Sequence, residues 1–171
     1  MAEVVAQRHP AVHWWCPQLP PSPRAAMQMV MQGLRDWPHD RMAVVGSSLG
    51  GFYASWVARQ TGCPSVLLNP AVAPARDLAR YIGEQTLWHQ PEERFYFQPA
   101  FVDELRALAD EGHMPPGPEL AIIAKGDEVL DWREMLDRYP HAQVRLLEGG
   151  DHALSDFEPH LPALLDFLRL A

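Results

Sequence analysis

Three short stretches of the chain carry residues whose types and spacing suit nucleophilic chemistry. The first is Val44-Val45-Gly46-Ser47-Ser48-Leu49-Gly50-Gly51, which contains G-x-S-x-G with Ser48 at its centre. A serine on a sharp strand-to-helix turn has a strained backbone, and small residues two before and two after it let the chains pass closely. The helix that follows points its N-terminus at the serine, so the Leu49 N–H is the candidate donor to a developing oxyanion. A Gly-rich turn with no chemical role is the plain alternative. A strand before the motif and a helix after it weigh against that alternative.

A lone serine is a weak nucleophile; it needs a base within hydrogen-bond reach, and the base needs an orienting acid. Around a turn of this kind the partners follow in the order Ser, acid, His. The stretch Gly126-Asp127-Glu128-Val129-Leu130-Asp131 supplies the acid. Asp127 comes just past the end of a predicted strand, where the ligands and catalytic groups of open α/β sheets gather. Glu128 and Asp131 compete for the role, and Asp131 has the commoner use of capping the next helix. The stretch Glu148-Gly149-Gly150-Asp151-His152-Ala153 supplies the base. Of eight histidines, His152 stands out by its late position, the strand before it and the Gly-Gly pair that loosens its turn. The others read mostly as solvated surface residues, and Asp151 reads as a turn cap. No carboxylate lies between paired histidines, so neither a metal site nor a cofactor is expected.

These three groups converge only if several strands end at one edge of a sheet. Four short apolar runs read as buried strands: Met42–Val45, Ser65–Leu68, Leu120–Ala124 and Val144–Leu147, with Val12–Trp15 as a candidate fifth. Most are continuously apolar, the pattern of parallel strands covered on both faces. Helical spacing marks Pro23–Trp37, Leu49–Gln60 with a stop at Gly62, Phe101–Asp110, Asp131–Tyr139 and Pro159–Leu170. The alternation predicts an α/β fold with a doubly wound, mostly parallel sheet and helices on both faces. Residues 70–118 break the rhythm, with helix, many aromatics and no clear strand. They read as a small helical cap over the sheet edge within a single domain spanning 1–171. Asn69, Trp88 and His89 are the candidate substrate-binding residues. Asn69-Pro70 also reads as a plain turn, and the aromatics of residues 81–101 equally as core.

Composition narrows the function classes. The chain of 171 residues is 47% apolar, enough for a sizeable core, and carries a formal charge of −8. That balance argues against nucleic acid, whose phosphates are held by clustered Lys and Arg. The two cysteines, Cys16 and Cys63, stand in no paired motif, so neither a disulfide framework nor a zinc site is expected. No signal peptide and no membrane-length apolar run is present, and the expectation is a cytoplasmic protein without a membrane partner.

Taken together, the motifs resemble the YqiA-like esterase family, a branch of the α/β hydrolases. The matching stretches are Cys16-Pro17-Gln18-Leu19-Pro20, Gly46 to Ala54, Leu68-Asn69-Pro70-Ala71-Val72, Gly126 to Asp131 and Glu148 to His152. They span nearly the whole chain in the family's order. The resemblance implies hydrolysis of small-molecule carboxylic esters or acyl thioesters, with the catalytic roles falling on Ser48, Asp127 and His152. Acyl transfer on the same triad and non-catalytic binding on an impaired hydrolase fold are the alternatives. One departure stands out. The family begins with a strand ending in a His-Gly-Phe loop that offers a second oxyanion donor, and no His-Gly pair precedes Cys16. Met1–Arg8 reads as the tail of the helix after that loop, so an incomplete N-terminus is expected. Such a gap would open two sheet edges and remove a donor worth about 2.7–4 kcal/mol in the transition state.

Overall fold

The computed structural model describes residues 1–87, 90–111, 115 and 117–170. Its strands are β1 (Val44–Ser47), β2 (Ser65–Leu68), β3 (Gly83–Leu87), β4 (Gln90–Phe97), β5 (Glu119–Ala124) and β6 (Gln143–Leu147). Its α-helices are α1 (Ala2–Arg8), α2 (Pro23–Gly33), α3 (Leu49–Thr61), α4 (Pro74–Leu78), α5 (Pro99–Asp110), α6 (Trp132–Arg138) and α7 (Leu161–Phe167). Four strands form a parallel sheet in the order β1-β2-β5-β6, with Val45 beside Val66, Val66 beside Leu120 and Leu120 beside Gln143. The four strands follow one another in chain order, so β2 lies between the strand that leads to Ser48 and the strand that leads to Asp127.

Strand periodicity distributes the core. Val66, Leu120, Ile122 and Ala124 pack with Leu154 and with Leu164 of α7. Leu67, Ala121 and Ile123 pack with Ala54 of α3, Met135 of α6 and Tyr139. Successive side chains of a strand point to opposite faces, so β2 and β5 are buried on both. Each fully covered Leu or Ile side chain contributes about 1.5–3 kcal/mol. A larger cluster joins Ala26 and Met27 of α2, Phe52 and Val57 of α3, and Phe101, Val102 and Leu105 of α5. Local signals set the helix ends. Ser22 Oγ accepts the Ala25 N–H at the start of α2, and its hydroxyl donates to Glu104 of α5. Gly62 ends α3 at φ 74°, a conformation glycine adopts without penalty. Among the described residues no helix is long and apolar enough to cross a membrane.

Several expectations are corrected. Val12–Trp15 forms no strand, with a bend at Val12; Trp15 is held instead by its ring, which packs over Gly33 and lies 6.2 Å from Trp37. β1 is therefore an edge strand, paired on one side only among the described residues. β6 is the other edge, with Gln143, Val144 and Arg145 exposed, so its apolar run is not doubly covered. Residues 70–118 do leave the main sheet, yet they contain strands: β3 and β4 form an antiparallel ribbon pairing Glu84 with Tyr96 and Gln85 with Phe95. Their polar, charged sequence hid them, since a two-stranded ribbon facing water needs no apolar run. Within that segment Phe97 and Phe101 are buried core residues, rings 5.5 Å apart, whereas Tyr81 and Tyr96 are exposed.

Candidate active site

β1 ends at Ser47 and α3 begins at Leu49, which leaves Ser48 alone to make the turn. Its backbone takes φ 55° and ψ −123°, a sparsely populated conformation for a residue with a Cβ. Neighbouring backbone holds it there. The Ser48 N–H donates to the Leu68 carbonyl at 2.9 Å, and the Ser48 carbonyl accepts from Gly51 and Ala71 at 2.9 and 3.0 Å. The glycines have different tasks. A Cβ on Gly46 would fall inside the Gly50 carbonyl, and one on Gly51 would come within 2.8 Å of Pro70, whereas one on Gly50 would meet nothing. Leu49 opens α3, so its N–H is among the amides that a helix start leaves without an intrahelical partner.

The acid arrives on the loop after β5. Asp127 Oδ1 accepts the N–H groups of Val129 and Leu130 at 2.8 and 2.9 Å. This leaves Oδ2 for the imidazole, 2.8 Å from His152 Nδ1, with the Asp127 side chain wholly buried. The other ring nitrogen, Nε2, lies 2.9 Å from Ser48 Oγ. A carboxylate only accepts, so the ring proton belongs on Nδ1 and Nε2 is free to accept from the serine hydroxyl. Residues 48, 127 and 152, far apart in the chain, thus form one hydrogen-bonded line. A cavity of about 290 Å³ is lined by the chain neighbours Ser47 and Ala153, with Gly46 and Leu154, and by none of the three residues themselves.

The competing carboxylates find other work. Asp131 caps α6, accepting the Arg133 N–H at 2.9 Å. Glu128 accepts the backbone N–H of His152 at 3.0 Å, a role no sequence pattern announces. Asp151 caps its own turn through the N–H and hydroxyl of Ser155, which hold its carboxyl below the usual carboxylate range. Gly126 was not singled out from sequence, yet a Cβ there would collide with the Gly150 carbonyl, so the acid and histidine loops touch only because it is glycine. Asn69 is fully buried and its carboxamide bonds to backbone. Trp88 and His89 lie outside the described residues. His9 and His13, four apart in sequence, belong to no metal-holding group among the described residues, and the His13 ring lies 5.2 Å from that of Trp37. Among the described residues no group of three His, Cys, Asp or Glu side chains is close enough to hold a metal.

Comparison with known proteins agrees with this architecture. A UPF0227 protein of Yersinia pseudotuberculosis is 24% identical over 153 residues, covering 86% of this chain and 78% of the relative. A putative hydrolase from Agrobacterium vitis superposes with a TM-score of 0.62 at 19% identity, covering 85% of this chain and 68% of that one. The mouse alpha/beta hydrolase domain-containing protein 10 gives 0.60 at 21% identity, with the same two coverages of 85% and 68%. The fold is that of the α/β hydrolases. The model of the uncharacterised protein family UPF0227 matches residues 1–169, and the chain belongs to that family.

Proposed function

We propose that this protein is a serine esterase that cleaves carboxylic esters or acyl thioesters through an acyl-enzyme. One observation carries the reading: the unbroken line from Ser48 Oγ to His152 Nε2 at 2.9 Å and from His152 Nδ1 to Asp127 Oδ2 at 2.8 Å. His152 takes the hydroxyl proton as Ser48 Oγ attacks the carbonyl carbon, and the carbonyl π pair moves onto oxygen. The Leu49 N–H receives that oxyanion. Collapse expels the alcohol or thiol, which takes the proton from His152 Nε2. Water then attacks the acyl-enzyme with His152 again as base, releasing the acid and restoring Ser48. Asp127 keeps the ring oriented and stabilises the imidazolium at each stage. The exposed Tyr81 and Tyr96 are proposed to bound the acyl group. The hydrolase fold of the solved neighbours supports the reaction class, not the substrate.

The test is a fluorophosphonate probe together with a series of aryl esters. The wild-type protein is expected to be labelled at Ser48 and to turn over the esters, and Ser48→Ala to do neither. Labelling that persisted in Ser48→Ala would overturn the assignment. An unlabelled wild-type protein would favour a binding role on the same fold.

A further inference from the structure

Asn69 follows β2, the strand flanked by β1 and β5, and is among the few polar residues with no solvent exposure. Its backbone sits at φ 39°, a region that Asn tolerates better than most residues. The carboxamide is fully committed. Oδ1 accepts the Ala124 N–H at 2.8 Å, and Nδ2 donates to the carbonyls of Asp151 at 3.0 Å and His152 at 3.1 Å. Ala124 in turn accepts the Asp127 N–H at 3.3 Å, so the first bond reaches the base of the acid loop. The residues on either side grip the nucleophile: the Leu68 carbonyl accepts the Ser48 N–H, and the Ala71 N–H donates to the Ser48 carbonyl. One turn, residues 68–71, is therefore bonded to the segments that carry all three groups of the site.

The histidine loop depends on it most. Gly150, two residues before His152, is at φ 85°, and no ladder bond of β6 extends to His152. Its backbone is fixed by Glu128 on the N–H side and by Asn69 on the carbonyl side. A turn residue at the surface would not need burial, and burying a carboxamide is costly unless its bonds are made. We propose that Asn69 is the positioning residue of this site: it sets the distance from His152 to Ser48 and does not form the wall of the substrate pocket. The inference rests on the esterase reading. It acts through geometry, since a displacement of about 1 Å at reacting groups costs about a hundredfold in rate.

Asn69→Asp and Asn69→Ala separate this from a purely structural role. Aspartate keeps the shape and the acceptor for Ala124 but turns an oxygen toward two carbonyls; alanine removes all three bonds. Leu105→Ala, in the core cluster of α2, α3 and α5 that holds neither Ala124 nor Leu154, is the control that lowers stability away from Asn69 and the histidine loop. The rate constant of fluorophosphonate labelling, kinact, and its half-saturation, KI, are read below each variant's melting temperature. For folded Asn69 variants kinact is expected to fall about tenfold or more with KI within about twofold, while Leu105→Ala keeps the wild-type kinact. A smaller fall in kinact overturns the proposal. So does a rise in KI at constant kinact, which would make Asn69 a pocket wall, and so does failure of both variants to fold, which would make it structural. Wild-type protein that is not labelled would instead sink the esterase reading.

Discussion

The Asp127 carboxylate divides its labour between two oxygens: Oδ1 is saturated by the Val129 and Leu130 amides, and Oδ2 faces His152. The division has a consequence for Asp127→Asn. Either orientation of the amide sets an N–H donor against another donor, at Nδ1 of the ring or at the two backbone amides. The ring then loses the partner that keeps its proton on Nδ1. We expect kcat to fall about 10⁴-fold with KM little changed, the scale seen when a triad aspartate loses its charge. Steady-state kinetics on an aryl ester checks it, and a loss below about tenfold would remove Asp127 from the mechanism. At this scale the three residues of the hydrogen-bonded line, Ser48, Asp127 and His152, were legible in the sequence, because each sits in a short motif and the motifs follow in the order Ser, acid, His. Glu128 was visible only as a rival acid. Its bond to the His152 N–H depends on two loops meeting, and nothing local encodes that meeting.

Among the elements, the elbow between β1 and α3 separates glycines that look alike in the motif. Gly46 faces the Gly50 carbonyl with no room for a methyl group, whereas Gly50 itself faces open space inside a helix. Gly46→Ala is expected to cost about 1–3 kcal/mol, as overpacking does, and to reduce turnover by shifting Ser48. Gly50→Ala is expected to be neutral or to stabilise by up to about 1 kcal/mol, because alanine favours a helix over glycine. Urea unfolding of the two variants checks the contrast, and equal losses would refute it. The motif reading treated both glycines as close-approach positions; only the three-dimensional path of the turn tells them apart. Ser65–Leu68 and the α3 stop at Gly62 were legible because an apolar run and a terminal glycine are local signals. The β3–β4 ribbon was not, since its residues are mostly polar. Val12–Trp15 looked like a strand because most of its residue types are apolar, yet Val12 and Trp14 are exposed, Trp15 alone packs against the core, and the backbone pairing that defines a strand is not made.

Across the whole molecule the two ends of the sheet carry different burdens. Ser48, Asp127 and His152 gather past the C-terminal ends of the parallel strands, as open α/β sheets arrange their ligands. At the opposite end Glu119 opens β5, partly buried. Burial pushes its carboxyl above the ordinary value of 4.5, opposed by the positive charges of Arg59 and Arg138. The sign of the consequence follows from linkage. A carboxyl that holds its proton more tightly when folded contributes stability that is complete below the unfolded pKa and lost as pH rises through the folded one. Wild-type stability should therefore carry a component that declines from about pH 4.5 upward. Glu119→Gln, which never ionises, should lack it. The variant's stability relative to wild type is then expected to grow from the acid side toward neutrality, read by urea unfolding across that range. Esterase turnover should not change, because the substitution lies at the far end of β5 from Asp127. A difference that shrank with rising pH would mean that the pairing with Arg59 and Arg138 outweighs desolvation. Glu119 would then be a stabilising ion-pair partner, and the cost of burying its charge would have been overcome.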